Sequence, residues 1–118
     1  DNIVKELGIE QSEEYKRLEY DAEAYDLYLQ SKSLYTLAKD ADDNMKAIEM
    51  MEGAISKDDN LVMAQIYLGT MQYDMGNYTQ ASVIYEKALG KSKSLQDNAN
   101  IAESLRKQGQ LESIYWKK

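Results

Sequence analysis

Three pairs of adjacent carboxylates, Glu13–Glu14, Asp42–Asp43 and Asp58–Asp59, are the residues of this chain best suited by type to acid and base chemistry. Each pair falls at a helix start or a turn, where capping and the helix dipole account for it. The run Asp40-Ala41-Asp42-Asp43-Asn44 gathers oxygen ligands. It lacks the alternating order, central glycine and distant glutamate of a calcium loop. The chain has no histidine and no cysteine. The commonest general base, the commonest zinc ligand and any thiolate are therefore excluded. The six glycines are scattered and form no phosphate cradle. No catalytic residue, no metal site and no cofactor is expected.

The elements that could position a site follow from composition and pattern. With 118 residues, 43% of them hydrophobic, the chain is long enough for one domain that buries roughly two-thirds of its unfolded surface. Proline and phenylalanine are absent and tyrosine occurs ten times. Tyrosine must therefore fill the large aromatic core positions while its hydroxyl reaches water or a partner. The net charge of −7 and pI near 4.6 disfavour nucleic acid as a partner. No apolar run approaches the length of a membrane span. These residues carry no targeting signal, so a cytoplasmic location is expected. The chain opens at Asp1 without an initiator methionine and stops inside a helical pattern, and reads as a fragment excised from a longer protein.

Apolar residues recur at three and four along most of the chain, which predicts helices throughout. Residues 1–21 read as an N-terminal helical linker: Ile3, Val4 and Leu7 share a face before Gly8, and Ser12 caps a second short helix. Asp21 caps a long helix over 22–41, with the turn at Asp42-Asp43-Asn44 and an antiparallel partner over 45–57. Asp58-Asp59-Asn60 connects to and caps a helix over 61–75. Gly76-Asn77 ends it, and Asn77 with Gln80 has the spacing of a capping box. The next helix runs to Leu89 and stops at Gly90, with 91–98 the longest loop. Asp97 or Asn98 caps a helix to Gln108, Gly109 ends it, and 110–118 begins the last.

A 34-residue period ties these elements together. Leu34, Ala47, Met51, Ala54 and Ile55 match Leu68, Ala81, Tyr85, Ala88 and Leu89 in size and polarity. A fixed period of this length marks a stack of helical hairpins, none of which buries its apolar face alone. Leu68-Gly69, Gly76-Asn77-Tyr78, Ala81, Tyr85 and Ala88-Leu89 resemble a tetratricopeptide repeat. The resemblance spans 62–95 well and 28–61 more loosely, where Tyr35 stands at the small helix A position. A third, truncated unit occupies 96–118. It implies an all-α fold of antiparallel hairpins over 22–118, stacked as a right-handed superhelical α-α solenoid. Small Gly69 and Ala81 would mark the close helix crossing.

That geometry implies a concave groove lined by helix A positions. They are Leu29, Lys32, Thr36 and Lys39 in the first unit, Met63, Ile66, Thr70 and Tyr73 in the second, and Gln96, Ala99, Glu103 and Arg106 in the third. Met63, Ile66 and Tyr73 would form an apolar centre, with Lys32, Lys39 and Arg106 as cations around it. Such a groove suits a protein or peptide segment. The carboxylate clamp of chaperone-binding repeats is not matched, because Thr36, Tyr67, Gln96 and Asn100 replace four of its five residues. Residues 1–55, with Glu23-Ala24-Tyr25-Asp26-Leu27-Tyr28, resemble the junction into repeat arrays of bacterial class III adenylate/guanylate cyclases, and similar segments occur in certain bacterial kinases and winged-helix regulators. The expected function is a non-catalytic protein-interaction scaffold from a larger bacterial signalling protein. The alternative is a regulatory or self-association segment of a cyclase or kinase. Its contacts would lie near Leu111, Ile114 and Trp116.

Overall fold

Local hydrogen bonds at helix ends decide where each element begins. The computed structural model describes residues 19–116. These are 84% helical with no strands. The predicted helix at Ile3–Leu7 and the Ser12 cap lie outside the described residues. α1 spans Ala22–Leu37 and starts where expected: the Asp21 carboxylate accepts from the Ala24 N–H at 2.9 Å. It ends earlier than 41. α2 spans Ala41–Lys57, capped by Asp40, whose carboxylate accepts from the Asp43 N–H at 2.9 Å. The Asp43 carboxylate in turn accepts from the Lys39 N–H at 3.2 Å. The predicted turn at Asp42-Asp43-Asn44 is thus the first turn of α2. Two carboxylates at the positive end of the helix dipole favour helix there over turn.

α3 spans Val62–Asp74 with Leu61 at its N-cap and no side-chain cap. The expected Asp/Asn cap of this helix does not form. Asp58 instead accepts from the N–H groups of Asn60 and Asp21, at 3.0 and 2.9 Å, and ties the start of α1 to the α2–α3 connection. α4 spans Tyr78–Ser94. The α3–α4 connection is a Schellman stop: Gly76 sits at φ +83°, the Asn77 N–H reaches the Gln72 carbonyl at 2.9 Å, and the Gly76 N–H reaches Tyr73 at 3.0 Å. The predicted capping box at Asn77 is not formed. Asn77 has no side-chain cap bond, and its amide donates to Gln72 Oε1 at 2.8 Å.

α4 runs through Gly90 and α5 runs from Asn98 to Trp116 through Gly109. The expected stops at both glycines, the loop over 91–98 and the separate last helix are therefore corrected. A glycine inside a helix costs only about 1 kcal/mol, less than the packing that holds the helix together. A Cβ at either position would meet nothing within 4 Å. The stop after α4 belongs to Gln96, which takes φ 55° and makes the same Schellman pattern, with the Asp97 N–H on the Ser92 carbonyl at 2.9 Å. Asp97 then caps α5, accepting from the Asn100 N–H at 3.1 Å.

Helices α1 and α2 pack as one hairpin, α3 and α4 as another, and α5 lies against α4 and α3. The repeat spacing holds along the second helix of each hairpin. Ala47 and Ala81, Met51 and Tyr85, and Ala54 and Ala88 are all fully or nearly fully buried. Along the first helix it slips by a turn. Gly69 takes the expected close approach, since a Cβ there would lie 2.5 Å from the Tyr85 ring. Four residues short of that place in α1, at Ser31 rather than Tyr35, the hydroxyl donates to the Ala47 carbonyl at 2.6 Å. The earlier end of α1 and the earlier start of α2 shift the crossing away from the connection.

α3 divides its side chains between two cores. Ala64, Leu68 and Met71 join Ala24, Tyr25, Met51 and Ala54 in one. Val62 and Ile66 join Ala81, Tyr85, Ala88 and Leu111 in the other.

Candidate binding groove

Tyrosine rings join α1 to α3. Tyr67 meets Tyr28 and Tyr35 edge-on, with centroids 6.5 and 6.2 Å apart, and Tyr25 continues the row to Tyr20. The Tyr35 hydroxyl donates to the Asp74 carboxylate at 3.0 Å. Burial first and then that bond push the Tyr35 phenol up to about 12. Burial likewise raises Tyr20 to about 12 and raises Tyr85. These phenols are neutral at ordinary pH, so they act as rings and hydroxyl donors. The Lys32 ammonium lies over the Tyr28 and Tyr67 rings, 5.0 and 5.7 Å from their centroids.

Beside this tyrosine wall a furrow runs between α3 and α5. Its first cleft, about 240 Å³, is lined by Tyr28 from α1, Met63, Ile66, Tyr67 and Thr70 from α3, and Asn100, Glu103 and Lys107 from α5. Its second cleft, about 620 Å³ and wider at the mouth, is lined by Tyr73, Arg106, Gly109, Gln110, Ser113 and Ile114. Met63, Ile66, Thr70 and Tyr73 follow one another at three and four along α3, so one helix face serves both clefts.

Hydrogen bonds fix the polar groups of this face. The Thr70 hydroxyl donates to the Ile66 carbonyl at 3.1 Å. The Tyr85 hydroxyl is its second partner, 3.1 Å away. The Asn100 amide donates to Asp97 at 2.7 Å. Arg106 grips Glu103 with two guanidinium nitrogens, Nε at 3.1 Å and Nη2 beside it. That bond holds the Glu103 carboxyl below the usual carboxylate range and raises Arg106.

The sequence-predicted residues are distributed as follows. Met63, Ile66 and Thr70 meet in the first cleft, Tyr73 and Arg106 in the second, and Lys32 stands on the two rings of the wall. Ile66 is 5% exposed and belongs equally to the core. Thr36 is exposed at the end of α1, its hydroxyl donating to the Lys32 carbonyl at 2.9 Å, and it lines neither cleft. Lys39 is not on a helix at all. It sits in the α1–α2 connection, away from both clefts, because α1 stops at Leu37. Gln96, expected on the third lining helix, is in the α4–α5 connection. Arg106 is not a free cation, since Glu103 neutralises it. Sequence reasoning missed Tyr28, Tyr67, Asn100 and Lys107 as lining residues of the first cleft, and Gly109, Gln110, Ser113 and Ile114 of the second. The tyrosine-rich face of α1 was the available signal for Tyr28.

Chemically, the furrow offers apolar surface, aromatic faces and two ammonium groups, Lys32 and Lys107, that make no ion pair within the described residues. Among the described residues no group of histidine, cysteine, aspartate and glutamate is placed to hold a metal ion. No helix of the described residues is long and apolar enough to cross a membrane. The buried hydroxyls of Ser31 and Ser92 are spent on backbone carbonyls. Comparison of the chain with known protein families, with curated proteins and with solved structures finds no match.

Proposed function

We propose that the chain is a non-catalytic protein-binding module of tetratricopeptide type, whose furrow between α3 and α5 receives a segment of another protein. One observation carries this reading. Met63, Ile66, Thr70 and Tyr73, on a single face of α3, open into two clefts, both walled by α5 and the first also by Tyr28 of α1. Grooves of this form bind segments through apolar anchors at regular spacing. The first cleft is smaller than the roughly 300–1,000 Å³ of sites for drug-sized ligands and so fits a side chain, while the second, about 620 Å³, falls within that range. The resemblance of the 34-residue units supports the family assignment, and the separate resemblance of residues 1–55 to the cyclase junction supports an origin in a larger bacterial signalling protein. The rival reading, a self-association segment of a cyclase or kinase, loses one of its contacts, because Leu111 is 3% exposed and packs in the second core.

The test is partner capture from the source cell with the full chain, followed by affinity measurement on the partner identified. Tyr73→Ala should weaken binding at least tenfold, about 1.4 kcal/mol, and Lys39→Ala should leave it unchanged. Binding that survives Tyr73→Ala and Met63→Glu unaltered would place the interface elsewhere.

A further inference from the structure

The first cleft carries a chemical preference that goes beyond its shape. The chain is acidic overall, with a net charge of −7, yet the charge around this cleft is on balance positive: Lys32 and Lys107 stand against the single Asp97 carboxylate that holds Asn100 of the lining. Glu103 is the carboxylate in the lining, and Arg106 neutralises it. Lys107 lines the α5 side, and Lys32 stands on the Tyr28 and Tyr67 rings of the opposite side. Neither lysine makes an ion pair within the described residues. Two polar groups between them already have partners within the chain: the Thr70 hydroxyl on the Ile66 carbonyl and the Tyr85 hydroxyl, and one Asn100 amide N–H on Asp97. A guest side chain therefore meets Met63, Ile66 and tyrosine rings at the centre and an ammonium on either side.

We infer that the occupant of this cleft is a peptide segment bearing a large apolar side chain flanked by carboxylates, the apolar group entering between Met63 and Tyr67 and the carboxylates pairing with Lys32 and Lys107. The inference rests on the binding reading above and names the partner's chemistry. A cationic segment would leave both ammonium groups unpaired and add like charge beside them. The arginine fork that would grip a phosphate or a carboxylate with two bonds is committed, Arg106 to Glu103. The lysines supply single point charges, which suit the singly charged side chains of aspartate and glutamate.

Random peptides displayed on phage, selected on the full chain and counter-selected on Met63→Glu, provide the test. The expected result is enrichment of a large apolar residue with aspartate or glutamate close on both sides. A synthetic peptide of that sequence should lose about tenfold affinity on Lys32→Gln, on Lys107→Gln, and on replacement of its acids by amides. A lysine-bearing peptide should regain binding on Lys32→Glu, while Lys39→Gln changes nothing. Peptides that Met63→Glu abolishes but that lack acids, or ignore both lysine variants, would overturn the inference and leave the binding reading standing. If no selected peptide distinguishes the full chain from Met63→Glu, both fall.

Discussion

At Gly69 the absence of a side chain is required by contact rather than by backbone conformation. It lies within α3, where alanine would ordinarily be the better helix former by about 1 kcal/mol. A Cβ there would sit 2.5 and 2.7 Å from two atoms of the Tyr85 ring, itself 1% exposed and bonded through its hydroxyl to Thr70. The ring cannot retreat without breaking that bond. Gly69→Ala should therefore destabilise the fold by about 1–3 kcal/mol, seen as a lower urea midpoint. A stabilised variant would mean that the α3–α4 crossing is looser than described. Gln96 presents the opposite case. It holds φ 55° to close α4, a conformation that suits glycine, so Gln96→Gly should raise stability by about 1 kcal/mol in the same assay.

Element boundaries show where the sequence was legible and where it was not. The second helix of each hairpin could be read from Ala47, Met51 and Ala54 against Ala81, Tyr85 and Ala88, because small residues at a close crossing admit few alternatives. The start of α2 could not be read by the same period. Copying the Gly76-Asn77 turn back by 34 residues puts a turn at Asp42-Asp43, whereas the Asp40 cap wins locally and moves the helix start. Ser31 was missed for that reason, and with it the true crossing of the first hairpin. Met63, Ile66, Thr70 and Tyr73 share one face of α3 as expected because their helix has the expected limits, while Lys39 falls off the helix because α1 ends at Leu37. Gly90 and Gly109 misled because glycine allows a helix stop without imposing one. With open space around both and ordinary helix on either side, Gly90→Ala and Gly109→Ala should each stabilise by about 0.5–1 kcal/mol. A loss of stability on thermal denaturation of Gly109→Ala would point to a break in α5 at that residue.

Arrays of helical hairpins need not unfold as one unit, because each repeat touches only its neighbours. Here α3 contributes to both cores, Ala64, Leu68 and Met71 to one and Val62 and Ile66 to the other. It also carries Tyr67 and Asp74, which hold α1 through the rings of Tyr28 and Tyr35 and the Tyr35 hydroxyl. Loosening either core must loosen the helix that the other is built on, so the hairpins should unfold together. Leu111, contributed to the second core by α5, tests this from the far end. Leu111→Ala removes a buried side chain, a change that costs about 2–5 kcal/mol in packed cores. Its effect on amide hydrogen exchange should reach α2, which has no residue in that core, as strongly as it reaches α4. Exchange that quickens in α4 and α5 while α1 and α2 keep their protection would show that the two hairpins fold independently. The furrow between α3 and α5 could then open without cost to the first hairpin, and its shape in the absence of a partner would not be the shape that binds.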